Sequence, residues 1–156
     1  MQKTLNDLLD FAINAEISAQ KLYSEASTIV DDPKGKLFLQ GLADEERGHQ
    51  TMLESIKEME LFDGKLIVDE ESLFEAGKDI HITNDKFSKD NDIEQIMLIA
   101  LKREYKAKTR YEKMADITNN PELKTIFSKL AKEEELHHKT ISKKFDLQRG
   151  ESGYEM

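Results

Sequence analysis

The sequence predicts an all-α protein, an antiparallel four-helix bundle made of two helical hairpins joined by a long crossover. Three observations carry this expectation. Residues 5–53 align with residues 93–141 without a gap, at a constant offset of 88. Within each copy the apolar residues recur at alternating steps of four and three, which keeps them on one helix face. The chain's two prolines, Pro33 and Pro121, fall at equivalent places in the copies, each directly after an Asp or an Asn.

The first helix is expected from about Thr4 to Val30, on the line Leu5, Leu9, Ala12, Glu16, Ala19, Tyr23, Ala26, Val30. Asp32 then reads as an N-cap, with Pro33 at the first helical position, where its missing N–H does no harm. The second helix follows from about Pro33 to Leu61. The third repeats the first from about Asp92 to Thr118, with Ile93, Met97, Ala100, Glu104, Ala107, Tyr111, Met114 and Thr118 in the matching places. Asn120 and Pro121 repeat the cap, and the fourth helix runs from about Pro121 to Phe145. Residues 1–145 thus form one domain, and residues 146–156 read as a loose tail.

Residues 62–91 are polar and lack a sustained period, apart from one short helical turn expected around Glu71 to Ala76. So long a connection is uncommon inside a compact domain. It is explained if the chain must return along the bundle between hairpins. A helix of roughly 28 residues is about 42 Å long, and an extended connection of about 30 residues spans that distance.

Composition limits what such a bundle does. With 156 residues, 35% charged and 38% hydrophobic, the chain suits one globular domain with well-solvated outer helix faces. The absence of cysteine excludes disulfides, zinc–thiolate sites and thiol catalysis. A net charge of −9 argues against nucleic acid or an anionic membrane as partner. The longest apolar run, Ile96 to Leu101, is far short of a membrane span, and residues 1–4 run straight into the helical pattern, so a cytoplasmic protein is expected.

Six residues on the apolar lines are out of place in a core. Glu16 interrupts the line of the first helix and Glu104 that of the third. Glu46 and His49 interrupt the second, between Leu42 and Leu53, and Glu134 and His137 the fourth, between Leu130 and Ile141. Burying one unpaired carboxylate costs several kcal/mol, and four close together repel one another. Two divalent cations would balance four carboxylates, leaving the reduced site formally neutral. Glu46 and His49, three apart, point from one helix face to one place, as do Glu134 and His137. Glu16 and His49 lie nearly the same number of residues either side of the hairpin turn, so both sit roughly 25 Å from it. The second hairpin repeats this, and all six side chains can meet near mid-bundle.

These residues carry a resemblance. The segments Ala15-Glu16 with Tyr23-Ser24-Glu25, Leu42-Ala43-Asp44-Glu45-Glu46-Arg47-Gly48-His49, Glu104 with Tyr111, and Leu130-Ala131-Lys132-Glu133-Glu134-Glu135-Leu136-His137 resemble the ferritin-like di-iron carboxylate proteins, and among them the rubrerythrin family. The likeness covers all four helices. It implies a ferritin-like bundle in which Glu46 and Glu134 bridge two metals, Glu16 and Glu104 are terminal ligands, and His49 and His137 each bind one metal. Two departures stand out. Typical rubrerythrins carry a further ligating Glu one turn after the third-helix ligand, where this chain has Ala107, so redox-linked ligand switching does not carry over. They also carry a rubredoxin-like iron site on cysteines, which this chain lacks, so any electron donor is a separate molecule.

Tyr23 and Tyr111 follow Glu16 and Glu104 by seven residues on the same face, placed either to hydrogen-bond the terminal carboxylates or to fill core volume. His138 matches Gln50 and His81 falls in the crossover, so neither is expected to be a ligand; Asp44, Glu45, Glu133 and Glu135 are expected on flanking or solvent-side faces. A carboxylate-rich site with two imidazoles suits iron, with manganese or zinc also able to bind. The expected function is a di-iron oxidoreductase that reduces peroxide or oxidises ferrous iron with O₂ or H₂O₂, served by an external electron donor. A homodimer is expected. The other readings are an iron-handling protein with little turnover, and a metal-free helical scaffold.

Overall fold

The computed structural model describes residues 3–59, 64–75 and 89–145. Four helices make up the bundle: α1 Leu5–Ile29, α2 Pro33–Met59, α3 Lys89–Ile117 and α4 Pro121–Lys144. The expected bounds of α1 and α4 hold to within one residue, and α2 begins at the expected Pro33. Helix α3 starts three residues earlier than expected. The expected end of α2 at Leu61, residue His81 and the tail 146–156 lie outside the described residues.

Local chemistry fixes the helix starts. Thr4 and Asp7 form a capping box: the Asp7 N–H donates to Thr4 Oγ1 at 3.2 Å and the Thr4 N–H donates to Asp7 Oδ2 at 2.9 Å. Before α2, Asp32 accepts from the backbone N–H groups of Lys34 and Gly35, both at 3.2 Å. Before α4, Asn120 Oδ1 accepts from Glu122 at 2.9 Å and Leu123 at 3.2 Å. The repeat extends to side chains that close the two hairpins. Lys36 Nζ donates to the Ser27 carbonyl, and Lys124 Nζ to the Ala115 carbonyl, each at 2.9 Å. Both lysines thereby satisfy a carbonyl left open at a helix C-terminus. At the first turn a Cβ on Gly35 would meet Val30 Cγ1 at 2.8 Å, so the tight return there depends on glycine.

The core falls into two apolar clusters. One joins Leu5, Leu8, Leu9 and Ala12 of α1 to Leu53 and Ile56 of α2, Tyr111 and Met114 of α3, and Leu123, Phe127 and Leu130 of α4. The other joins Leu22, Tyr23 and Ala26 to Leu39 and Leu42, Ile96, Met97 and Ala100, and Ile141. The N-terminal half of α1 thus packs with the C-terminal half of α3, and the two hairpins run antiparallel. Closest packing lies within each hairpin and between α1 and α3.

Residues 64–75, the described part of the crossover, are more structured than their polar composition led us to expect. Leu66 and Gly64 accept from the N–H groups of Leu5 and Asn6 at 2.7 and 3.0 Å, and the Val68 N–H donates to Lys3 at 2.8 Å. Val68 and Leu73 are buried in the first cluster. The expected helical turn is a short 3-10 turn, Glu71–Phe74. Arg110 of α3 clasps this turn and the residue after it, donating from Nε to Leu73 O and from Nη2 to Glu75 O, both at 2.8 Å. Its guanidinium also lies over the Phe11 ring, 4.9 Å from the centroid.

Candidate metal centre

Between the two apolar clusters sits a polar layer built from all four helices. Glu16, Glu46, His49, Glu104, Glu134 and His137 are each no more than 4% exposed. The structure brings the six together as two overlapping groups. Glu16, Glu46, His49 and Glu134 form one, and Glu46, Glu104, Glu134 and His137 the other; in each, the ligand atoms lie within 4.8 Å of one another. His49 Nδ1 is 3.3 Å from Glu16, 3.2 Å from Glu46 and 3.5 Å from Glu134. His137 Nδ1 is 3.4 Å from Glu46, 3.2 Å from Glu104 and 3.1 Å from Glu134. Glu46 and Glu134 belong to both groups, while each histidine and each of the other two glutamates belongs to one. The rings of His49 and His137 are close to parallel, inclined at 16°, with centroids 6.0 Å apart.

Electrostatics make this layer costly as it stands. Burial first, and then the neighbouring carboxylates, push the Glu46 and Glu134 carboxyls well above the ordinary range, with His137 offsetting part of the shift. For His49 burial acts to lower the pKa but is outweighed by Glu16, Glu134 and Glu133, which bring it up to about 9. His137 is raised further: burial opposes the shift, and Glu104, Glu134 and Glu46 overcome it. Five inward atoms, Glu46 Oε1, Glu104 Oε2, Glu134 Oε1 and the Nδ1 atoms of both histidines, are buried without a hydrogen-bond partner. Orphaned buried acceptors are rare in folded proteins. Here they converge, and they are the oxygen and nitrogen donors that first-row divalent cations take. The residues present therefore fit a two-metal site.

The tyrosines are arranged crosswise. Tyr23 of α1 donates to Glu104 Oε1 of α3 at 2.7 Å, and Tyr111 of α3 donates to Glu16 Oε2 of α1. Each phenol thus serves the carboxylate of the other hairpin. Burial, followed by the charge of the glutamate it serves, raises the pKa of each well above 10, so both stay protonated as donors.

Several contributors were not foreseen as such. Glu45 and Glu133, expected on flanking or solvent-side faces, keep exposed edges but reach over to the histidines: Glu133 Oε1 lies 3.0 Å from His49 Nε2 and Glu45 Oε2 lies 3.1 Å from His137 Nε2. The signal was their identity at matching places in the repeat. Arg103 and Arg110 are buried at 9% and 2% exposure, where the first copy has Ala15 and Leu22. With Ala15, Ala19 and Ala107 they line a cavity of about 20 Å³ whose floor is Glu16, Glu46, Glu104 and Glu134. A space of that size admits about one water. His138 is half-buried and takes no part in the six-residue cluster.

Comparisons agree with this architecture. The family model described as Rubrerythrin matches residues 7–144. A hypothetical protein of Pyrococcus furiosus superposes with a TM-score of 0.77 at 25% identity, over 94% of this chain and 90% of its own. A Thermotoga maritima protein, described as a candidate ferritin-like diiron-carboxylate protein, superposes with a TM-score of 0.75 at 20% identity, over 92% of this chain and 95% of its own. No curated protein matches. With the family model spanning all four helices, and the bundle and its buried carboxylate–histidine layer in place, the chain belongs to the rubrerythrin family.

Proposed function

We propose that Glu16, Glu46, His49, Glu104, Glu134 and His137 hold two iron ions and that the centre reduces hydrogen peroxide to water. One observation carries the metal reading: the two buried groups share Glu46 and Glu134, and five of their inward atoms have no hydrogen-bond partner. Glu46 and Glu134, common to both groups, would serve both ions, Glu16 and His49 would serve one, and Glu104 and His137 the other. Held there, two ferrous ions would supply the two electrons that, with two protons, turn H₂O₂ into two waters.

The chain's own residues do the rest. Tyr23 and Tyr111 hold Glu104 and Glu16 in place from the opposite hairpin. Leu42, Leu130 and the two apolar clusters keep bulk water from the layer except at the cavity between α1 and α3. That cavity, with room for about one water, is too small for a bulky organic hydroperoxide. An external reductant returns the two electrons, since the chain contains no cysteine to hold a second iron site.

Stopped-flow mixing of the di-ferrous protein with H₂O₂ and, separately, with O₂ tests this. Faster oxidation by H₂O₂, with one peroxide consumed per pair of ferrous ions, is the expected result. Faster oxidation by O₂ would replace the reading with a ferroxidase. No reaction with either would leave an iron-binding protein with little turnover, a role that the alanine at position 107 favours by adding no further carboxylate to the cavity wall.

A further inference from the structure

We propose that the cavity between α1 and α3 is a site for a small monoanion, of the size of water and the charge of hydroxide or fluoride, held by the guanidinium charges of Arg103 and Arg110. The proposal rests on the metal-centre reading above and adds a ligand class to it. The six carboxylates and imidazoles repeat between the hairpins at an offset of 88, but the wall above them does not. On α1 the line is Ala15, Ala19 and Leu22, and the matching line on α3 is Arg103, Ala107 and Arg110. Steps of four and three keep these three on one face of α3, so the two arginines bracket the alanine in the cavity wall. Both are buried, at 9% and 2% exposure.

The charge of the cavity depends on what its floor holds. Without metal, Glu16, Glu46, Glu104 and Glu134 oppose the two guanidiniums. Two divalent ions neutralise those carboxylates, and the floor then no longer balances the arginines. Arg110 lies within electrostatic reach of the floor: burial lowers its pKa, while Tyr111, Glu16 and Glu134 act to raise it. Its Nε and Nη2 donate to the Leu73 and Glu75 carbonyls, neutral acceptors that hold the guanidinium in place without cancelling its charge. Arginine keeps its proton throughout the working range, and away from solvent its field is screened less than at the surface. The alanines of the wall, Ala15, Ala19 and Ala107, add no charge. A chain of net charge −9 repels anions at long range, so a bound anion requires such a local positive pair. A volume of about 20 Å³ limits the ligand to the size of one water. Hydroxide belongs to this class. When H₂O₂ takes two electrons its O–O bond breaks to give two hydroxide ions, and each takes one proton to become water. The arginines are placed beside the negative charge that develops in that step. Arginines that only offset the carboxylates of the metal-free layer would have no effect on anions, and the two roles separate experimentally.

Fluoride is the probe, titrated into the Co²⁺-loaded protein and followed by the visible absorption of the bound cobalt. Ionic strength is held constant with perchlorate, which is too large for the cavity. Wild type should bind fluoride saturably. Arg103→Met and Arg110→Met should each weaken fluoride binding about tenfold or more. Arg103→Lys, which keeps the charge, should restore most of the affinity. Arg103→Met also leaves the Arg110 contacts with the crossover in place. Cobalt affinity, measured by chelator competition, should hold or rise in both methionine variants, because each removes a positive charge beside the cations. Absence of fluoride binding by wild type, unchanged fluoride affinity in both methionine variants, or a parallel fall in fluoride and cobalt affinity would overturn the proposal while leaving the metal centre standing. A wild-type protein that binds no cobalt would overturn both.

Discussion

Glu46 and Glu134 are raised by burial and by their neighbours, and this ties stability of the metal-free protein to pH. An unfolded glutamate titrates near 4.3. Above that pH the folded chain holds more protons than the unfolded one, so unfolding free energy falls as pH rises. His49 acts in the same direction: its contribution is complete below about 6.5, the unfolded value, and disappears as pH rises through about 9. Metal-free protein is therefore expected to melt at progressively lower temperature from about pH 5 to about pH 9. Glu46→Gln with Glu134→Gln should flatten that slope, and thermal melts of both forms across the range check it. Ala107 gives a second prediction at this scale. Ala107→Leu should fill the cavity above the carboxylates, slowing peroxide oxidation by about tenfold or more with the metal content unchanged. Metal analysis beside stopped-flow rates separates the two effects.

Among the elements, the crossover segment shows how one side chain orders a polar stretch. Arg110 satisfies the Leu73 and Glu75 carbonyls, while Lys106 and Lys113 pair with Glu75 and Glu70 at 3.1 and 2.7 Å. The two exposed pairs contribute little. The buried guanidinium contributes more, because its loss leaves carbonyls unpaired, at about 1–3 kcal/mol for each group that water does not reach. Arg110→Met keeps much of the side-chain volume and removes the donors. Amide exchange in residues 64–75 should become markedly faster in that variant, while exchange in the middle of α2 and α4 stays slow. Equal acceleration throughout would mean that Arg110 supports the whole bundle and not the crossover alone.

For the whole molecule, metal held in the polar layer between two apolar clusters would make folding and metal binding one equilibrium. A ligand that binds only the folded chain stabilises it by RT ln(1 + [L]/Kd), about 2.7 kcal/mol at one hundred times Kd. Chelator should therefore lower the melting temperature, and iron reconstitution should restore it with close to two metals per chain. Glu46→Ala with Glu134→Ala should abolish both the metal content and the difference between the two melts. Equal melting with and without chelator would contradict the two-metal reading.

The amino-acid sequence by itself determined the helices and the composition of the layer. Pro33, Pro121 and their Asp and Asn caps act over three or four residues, and the apolar period acts along one helix, so both are local and legible. Glu16, Glu46, His49, Glu104, Glu134 and His137 stood out because an ionisable group on an apolar line has few explanations. Tertiary structure alone decided which group serves which. Tyr23 reaches Glu104, not Glu16 seven residues before it, and Glu45 reaches His137, not the histidine of its own helix. Arg110 found its carbonyls in a crossover more than thirty residues away in sequence. These pairings depend on the relative rotation and height of the two hairpins. A repeat specifies each hairpin separately; how one docks on the other is set by packing between side chains distant in sequence, above all along α1 and α3.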